Sequence, residues 1–328
     1  MVRGGPVVQI GVIILSVVGL WIGARLLVDA VVRLARRFGL SDLTIGLTVV
    51  AMGTSTPELT VSIDAALKGL GDIAVANVLG SNIYNLAFIL GVISLLKVIP
   101  IAESLVRRDG LALLASTLLG GIAILDLRLT RLEGLLLAGS FVAYTASLLR
   151  ASRTEPEPNT ERSPTDEAVV RPVTERAAFR GRDAAFLVGG LALVLVSGDY
   201  MVVAASELAR GVGISEWVIG GTIVAAGTST PEFAVSLVAV RRGSLGVSVG
   251  NVVGSNIYNI TGILGLAAVL RPLAMSGTAI ESLAWLAGIS LLMVAALWTG
   301  RVLSRIEGGV FAVSELVRWV LGILGVGG

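Results

Sequence analysis

Long apolar runs dominate the chain, and its polar residues collect in short stretches between them. Ten of these runs have about 20 residues or more, enough to cross roughly 30 Å of hydrocarbon as a helix. Their hydropathy is continuous rather than alternating, which favours helices over the strands of a membrane barrel. The sequence therefore predicts an all-α membrane protein with ten transmembrane helices. The predicted spans are 8–36, 43–68, 73–97, 109–125, 132–150, 184–209, 217–241, 247–270, 279–299 and 307–326.

One long stretch departs from this pattern. Residues 151–183 are rich in Pro, Glu, Thr and Arg and contain few large apolar side chains. Such a composition cannot bury enough surface to fold, so we interpret the stretch as a cytoplasmic linker, with a regulatory segment as the alternative. It divides the chain into residues 1–150, the first five predicted helices, and residues 184–328, the last five.

The two halves repeat each other. Residues 38–58 align with 212–232, 76–85 with 250–259, and RLEG at 131–134 with RIEG at 305–308. The offset is constant, and from Glu58 to Glu232 it is 232 − 58 = 174 residues. Because each copy has an odd number of predicted helices, the second copy begins on the opposite membrane face. The sequence thus predicts two inverted five-helix repeats, which are common in secondary transporters; the alternative is a duplicated scaffold without transport.

Composition agrees with a membrane protein and restricts its chemistry. Hydrophobic residues make up 55% of the chain, charged residues 15%, and the mean hydropathy is +0.89. The chain has no Cys and no His, which excludes disulfides, thiolate nucleophiles, imidazole bases and most zinc sites. Carboxylates, hydroxyls, amides and backbone carbonyls remain, and these are the ligands of calcium and other hard cations.

The basic residues of the connections predict the orientation. With the N-terminus outside, most of them lie in cytoplasmic connections, among them Arg36, Arg107, Arg241 and Arg305. Cytoplasmic loops carry an excess of Lys and Arg. We therefore predict a multi-pass protein of the cell inner (plasma) membrane with an external N-terminus.

A GTSTPE motif interrupts an apolar run in each half, at 53–58 and at 227–232. Pro57 and Pro231 lack an N–H, so each should free carbonyls in the preceding turn. A break at membrane depth is tolerated only where it lines a cavity or is buried in protein. The motif therefore predicts a cation site, formed by freed carbonyls with the oxygens of Thr54, Ser55, Glu58, Thr228, Ser229 and Glu232.

The two glutamates are costly where they lie. A charged side chain at mid-membrane costs at least about 2.5–3.5 kcal/mol, so Glu58 and Glu232 need partners. At symmetric positions they repel each other unless a cation lies between them or one is protonated. The alternative to a cation site is a pair of protonated glutamates hydrogen-bonded to neighbouring helices.

A second motif, GSNIYN, follows in each half. Ser81 and Asn85 are four residues apart and should share one helix face, while Asn82 should point elsewhere. Such amides either hold helices together or bind a ligand, and the repeat favours ligands. The equivalent residues in the second half are Ser255, Asn256 and Asn259.

The paired GTSTPE and GSNIYN motifs resemble the α-repeats of the sodium/calcium exchanger family, in the cation/calcium antiporter superfamily. The resemblance covers all ten predicted helices and implies that the second, third, seventh and eighth enclose the ions while the first and sixth slide past them. It implies Glu58 and Glu232 as central ligands of calcium and sodium. The other implied ligands are the oxygens of Thr54, Ser55, Thr228, Ser229, Ser81, Asn85 and Ser255 and the carbonyls of Ala51 and Ala225.

Asn259 departs from the family pattern, in which many members have Asp at this position, and we include it among the candidate ligands. The substitution bears on sodium stoichiometry and on the counter-ion, although a carboxyl beside two glutamates could itself be protonated and neutral.

The sequence therefore predicts an antiporter, not an enzyme, that exchanges calcium for sodium by alternating access. Its partners would be these two ions and the lipid bilayer, with no cofactor, no nucleic acid and no obligate protein partner. The alternatives are a proton/calcium antiporter of the same superfamily and, from another class, a cation channel.

Charged pairs elsewhere have a simpler interpretation. Arg25 and Asp29 are four residues apart and predict an ion pair on the first helix, and Glu315 and Arg318 predict a structural pair on the last.

Overall fold

The described residues are almost entirely helical, as the hydropathy predicts, with four two-residue strands between helices. The computed structural model describes residues 5–100, 105–154, 181–211, 225–300 and 302–323. The first half contains α1 (Pro6–Phe38), α2 (Asp42–Ile45), the π-helical π1 (Gly46–Val50), α3 (Ala51–Thr54), α4 (Thr56–Lys68), α5 (Gly71–Ile83), π2 (Tyr84–Ile89), α6 (Leu90–Leu96), β1 (Ile99–Pro100), π3 (Leu105–Gly110), α7 (Leu111–Ile124), β2 (Arg128–Leu129) and α8 (Arg131–Thr154).

The second half follows the same order. Its elements are α9 (Gly181–Gly211), α10 (Ala225–Thr228), α11 (Thr230–Arg241), α12 (Leu245–Ile257), π4 (Tyr258–Leu264), α13 (Gly265–Leu270), β3 (Leu273–Ala274), α14 (Thr278–Gly300), β4 (Val302–Leu303) and α15 (Arg305–Ile323).

Six helices of the described residues are long and apolar enough to cross a bilayer: 6–35, 71–96, 131–151, 181–208, 245–270 and 278–296. The other four predicted spans do not qualify, each for a local reason. The spans 43–68 and 217–241 are broken at Ser55 and Ser229, and residues 217–224 lie outside the described part. The α-helical part of 109–125 has only 14 residues, and the span 307–326 carries Glu307, Glu315 and Arg318.

Two continuous helices form the centre of the molecule. One runs through α5, π2 and α6, the other through α12, π4 and α13, and 78% of each lies in the interior. By contrast, only 17% of the apolar stretch of α8 is buried. Each central helix changes to π-helix at the Tyr of GSNIYN, Tyr84 or Tyr258. A π turn changes the side of the helix on which the following residues lie, and such turns occur often at functional sites.

Short strands join the two halves reciprocally. Ile99 of β1 lies opposite Leu303 of β4, and Leu129 of β2 lies opposite Leu273 of β3. At the repeat offset β1 is the equivalent of β3 (273 − 99 = 174), and β2 is the equivalent of β4 (303 − 129 = 174). The two strand pairs are therefore equivalent when the halves are exchanged, as in an interface with two-fold symmetry.

A pair of long helices, α1 and α9, packs beside this centre. Their backbones approach closely at two glycines: a Cβ added to Gly23 would lie 2.9 Å from the carbonyl oxygen of Gly190. Ser, Ala and Gly at such crossings permit tight helix packing in membranes.

Helices extend into both ends of the predicted linker. Helix α8 continues to Thr154, and α9 already begins at Gly181, so both ends of 151–183 are helical. Asp183 explains the second boundary, because its carboxylate is buried and accepts a 2.7 Å hydrogen bond from Arg33. Residues 155–180 lie outside the described part.

The pair predicted between Arg25 and Asp29 is wrong. Asp29 instead pairs with Arg242, at 2.9 Å, because the end of α11 lies against α1. The pair between Glu315 and Arg318 is confirmed, with Nε to Oε2 at 2.8 Å.

Candidate ion-binding site

Both GTSTPE motifs break a helix. Ser55 separates α3 from α4 with φ −78° and ψ 17°, and Ser229 separates α10 from α11 with φ −88° and ψ 7°. Pro57 and Pro231 then lie in the first turn of the new helices, where a missing N–H costs nothing. Glu58 and Glu232 follow in the same first turns, whose free N–H groups and helix dipole favour negative charge.

The carbonyl released by the first proline lies in the preceding turn, as expected, but it is not that of Ala51. Ala51 keeps a backbone partner, since its oxygen accepts a 3.1 Å hydrogen bond from the N–H of Ser55. The released carbonyl is that of Gly53, and the hydroxyl of Thr56 donates to it at 2.7 Å. Any role of the Ala51 carbonyl as a ligand therefore uses its second lone pair. In the second half, Ala225 is the first residue of α10.

The glutamates are held by serines of the opposite half. Ser55 Oγ donates to Glu232 Oε1 at 2.7 Å, and Ser229 Oγ donates to Glu58 Oε1 at 2.9 Å. All four side chains are fully buried. The second oxygen of each carboxylate, Oε2, is also buried and has no hydrogen-bond partner. Each glutamate therefore presents one bonded and one bare oxygen.

The GSNIYN motifs bring further oxygens to the same place. Ser255 Oγ lies 3.5 Å from Glu232 Oε1 and 3.4 Å from the carbonyl oxygen of Ala51. Ser81 Oγ lies 3.5 Å from the hydroxyl of Thr228. Asn85 and Asn259 are fully buried; both polar atoms of the Asn85 amide and the carbonyl oxygen of Asn259 lack a partner.

Thr54 completes the set of candidate ligands. Its hydroxyl contacts the Val50 carbonyl at 3.1 Å and the side-chain oxygen of Asn251 at 3.0 Å. The structure therefore brings candidate serines of both halves against the two buried carboxylates, while Asn85 and Asn259 are buried in the two central helices.

Sequence reasoning missed a pair of asparagines that hold the broken helices. Asn251 donates to the carbonyl of Glu232 at 3.2 Å and to Ser236 at 3.0 Å. Asn77 makes the same two contacts in the first half, to the carbonyl of Glu58 at 3.1 Å and to Ser62 at 2.9 Å. The signal was present, because both residues lie at the repeat offset inside the aligned segments 76–85 and 250–259.

Asn82 is also closer to the site than expected. Its amide donates to the carbonyl of Asn256 at 3.0 Å, and its oxygen accepts from Asn259 Nδ2 at 2.9 Å. This second bond leaves the Asn259 carbonyl oxygen as the free end of that amide. Asn82 therefore orients a candidate ligand, although it was expected to point elsewhere.

The chemistry of these groups suits a hard cation. Buried polar atoms without partners are rare in folded proteins, and here they include Oε2 of both glutamates and the side-chain oxygens of Asn85 and Asn259. The described residues contain no group of three or more carboxylate, imidazole or thiolate side chains. The site instead combines two carboxylates with neutral hydroxyl, amide and carbonyl oxygens, a mixture that calcium accepts and that sodium, another hard cation, also fits.

Comparison with known proteins assigns the family. The profile described as "Sodium/calcium exchanger protein" matches residues 8–150 and 183–324, which include both sets of motifs. The chain belongs to the sodium/calcium exchanger family. The two matched stretches are separate, and residues 151–182 lie between them.

Relatives and solved structures of the family agree over nearly the whole chain. MaX1, a sodium/calcium exchanger of Methanosarcina acetivorans, is 30% identical over 326 residues, covering 90% of this chain and 93% of MaX1. YrbG, an inner membrane protein of Escherichia coli, is 36% identical over 263 residues, 79% of each chain. A structure of the sodium-calcium exchanger NCX_Mj soaked with Na⁺ and Sr²⁺ superimposes with a TM-score of 0.80 at 29% identity, covering 94% of this chain and 97% of NCX_Mj.

The asparagines that sequence reasoning missed provide a test of the geometry. We expect Asn251→Ala to lower the free energy of unfolding by about 1–3 kcal/mol, because it leaves buried partners without a hydrogen bond. Asn77→Ala should likewise destabilise the protein, because it removes the same two contacts, to the Glu58 carbonyl and to Ser62, in the first half. Thermal melting in detergent measures both, with Ser140→Ala as control because Ser140 bonds only within its own helix. Wild-type melting of Asn251→Ala would contradict the assignment.

Proposed function

We propose that this chain is a secondary active antiporter that exchanges calcium for sodium by alternating access at a site centred on Glu58 and Glu232. One observation carries the proposal: each buried carboxylate is held by a serine of the other half and keeps one bare oxygen. Burying two uncompensated negative charges is very costly, so a bound cation is needed for the ionised site to persist.

The proposed ligands come equally from both halves. The first half would supply Ala51, Thr54, Ser55, Glu58, Ser81 and Asn85, and the second Ala225, Thr228, Ser229, Glu232, Ser255 and Asn259. The two carboxylates hold a charge of −2, which one calcium ion neutralises and sodium ions must replace together. The neutral oxygens complete the coordination of either ion.

Charge compensation gives the exchange rule. A site that carries −2 in an apolar interior is strongly disfavoured, so the empty, ionised site does not move between the membrane faces. A site filled by calcium or by sodium is compensated and can move. Transport of one ion thereby becomes obligatory for return of the other, and no covalent bond is made or broken, so no enzymatic activity is proposed.

The proposed topology is ten transmembrane helices in two inverted repeats. The broken helices α2 to α4 and α10 to α11 would count as the second and seventh, even though neither is a single long apolar helix. Reciprocal contacts support a two-fold axis between the halves: Ser55 to Glu232 mirrors Ser229 to Glu58, and β1 to β4 mirrors β3 to β2. The pair α1 and α9, as the first and sixth helices, would slide past the central helices.

A second candidate, a proton/calcium antiporter, is favoured by Asn259, which stands where many members of the family have Asp. Asn259 makes the two GSNIYN motifs identical and uncharged, and protons require only the glutamates. We favour sodium because both motifs retain Thr and Ser hydroxyls, which a sodium ion needs as neutral ligands. The sodium/calcium exchangers MaX1 and NCX_Mj support the same choice.

The glutamates are tested by removing their charge without changing their volume. We expect Glu58→Gln and Glu232→Gln each to reduce calcium exchange in proteoliposomes to background, while the protein still folds, because Gln relieves a buried charge. Glu207→Gln is the control, since Glu207 is half exposed and pairs only with Arg210 on its own helix. Near-normal flux in either site variant would refute the assignment.

The counter-ion is tested with imposed gradients. With the membrane potential clamped and the pH gradient collapsed by an ionophore, we expect an outward sodium gradient to drive calcium into proteoliposomes. A pH gradient that drives uptake while sodium has no effect would establish the proton antiporter instead. Calcium flux down its own gradient without any counter-ion would indicate a channel.

Orientation is tested by labelling, because the chain has no native Cys. We propose residence in the inner (plasma) membrane with the N-terminus outside, which puts residues 151–183 in the cytoplasm and the connection between β3 and α14 outside. A thiol reagent that cannot cross membranes should therefore label Gly277→Cys and spare Ser163→Cys in intact cells. The reverse pattern would overturn the orientation.

A further inference from the structure

An apolar cavity lies between the pair α1 and α9 and the centre of the molecule. Its volume is about 710 Å³, within the range of sites that hold a small organic ligand. Apolar and aromatic side chains form most of its wall, including Trp21 of α1, Val202 of α9 and Phe233 of α11. Thr230 is one of its few polar residues, and its hydroxyl is already bonded to the Ala226 carbonyl at 3.2 Å.

Such a cavity does not suit water. A buried water molecule needs two to four polar partners, and these walls offer almost none. A void would deprive the walls of dispersion contacts. Val17 and Val18 line the cavity and remain 53% and 49% exposed, so they mark its opening to the outside. In a membrane, lipid hydrocarbon surrounds this opening. An acyl chain from the bilayer is therefore the best filling for this space.

The rim of the cavity adds a cation. The guanidinium carbon of Arg241 lies 4.9 Å from the ring centroid of Trp21, which lines the cavity. Its neighbour Arg242 is paired with Asp29, whereas no carboxylate among the described residues pairs with Arg241. Arg241 is exposed at the last residue of α11. Guanidinium groups bind phosphate well, because their paired N–H donors match its oxygens.

The cation and the cavity are connected along α11. Val238 lines the cavity three residues before Arg241, about 4.5 Å along a helix axis. Further along, Gly227 lines the opposite end, next to Thr228 and Ser229 of the candidate ion site. An acyl chain that enters the cavity beside Arg241 would therefore lie along α11 and point toward the helix break at Ser229.

We propose that this cavity binds one membrane phospholipid, with an acyl chain inside and its phosphate on Arg241. The repeat offset gives the site no counterpart in the other half. The position equivalent to Arg241 is Leu67 (241 − 174), and that equivalent to Trp21 is Leu195 (21 + 174). One molecule per chain is therefore expected, and it lies against α11, the helix that carries Glu232 and begins directly after Ser229.

Native mass spectrometry of the delipidated full-length protein, titrated with dioleoylphosphatidylglycerol, tests the proposal. Wild type should hold one phospholipid under detergent conditions that remove the others. Arg241→Gln removes the cation, and Ala205→Phe fills the cavity from its wall. Arg241→Gln should weaken retention by about tenfold or more, the worth of a charge-assisted bond. Ala205→Phe should also weaken retention, because its ring takes the space of the acyl chain. The matched controls, Arg128→Gln and Ala143→Phe, alter an exposed cation and an exposed Ala elsewhere and should leave retention unchanged.

Two further measurements test the role of the phosphate and the folding of the variants. Dioleoylglycerol, which lacks the phosphate, should bind about tenfold more weakly than the phospholipid; equal binding would refute the role of Arg241. Melting in lipid-free detergent shows whether each variant is folded, and Arg241→Gln changes an exposed side chain, so it remains informative if Ala205→Phe fails to fold. Equal retention by wild type, folded variants and controls would overturn the proposal.

Discussion

The structure depends on one constraint, the burial of two carboxylates that face one region of an apolar interior. Glu58 and Glu232 are fully buried, each with one oxygen bonded to a serine and one bare. Desolvation makes these charges unstable unless a cation binds them. The hydroxyls and amides proposed as ligands would provide neutral oxygens for that cation. The helix breaks place both glutamates in the first turn of a new helix, where free N–H groups and the helix dipole favour negative charge.

Neither half can build this region alone. Ser55 lies only three residues before Glu58, yet its hydroxyl bonds Glu232, and Ser229 does the reverse. The reciprocal strand pairs tie the same two halves together at their ends. Any movement of one half against the other must therefore change both carboxylates at once, which is the mechanical basis of coupling in the proposed exchange.

Departures from the repeat are concentrated away from the glutamates. Asp109 is fully buried and bonded by Arg108 at 2.8 Å and Tyr144 at 3.1 Å, whereas the equivalent of Asp109 in the second half is Leu283. Buried Glu315 pairs with the partly exposed Arg318 where the first half has Phe141 and Tyr144. Arg241 likewise has no basic counterpart. The two halves thus share the same types of candidate ligand but differ in these charged groups.

Local features of the chain determined much of this picture. Continuous hydropathy predicted helices, the prolines predicted where two of them break, and the constant offset predicted equivalent roles for Glu58 and Glu232. Tertiary structure alone decided which groups meet: the partner of Ser55 is 177 residues away, Asp29 pairs with Arg242 rather than Arg25, and Asn82 orients Asn259. Helix formation and helix breaks depend on neighbours within about one turn, which the sequence shows directly. Hydrogen bonds between the halves depend on how the helices pack against each other, which residue spacing along the chain does not show.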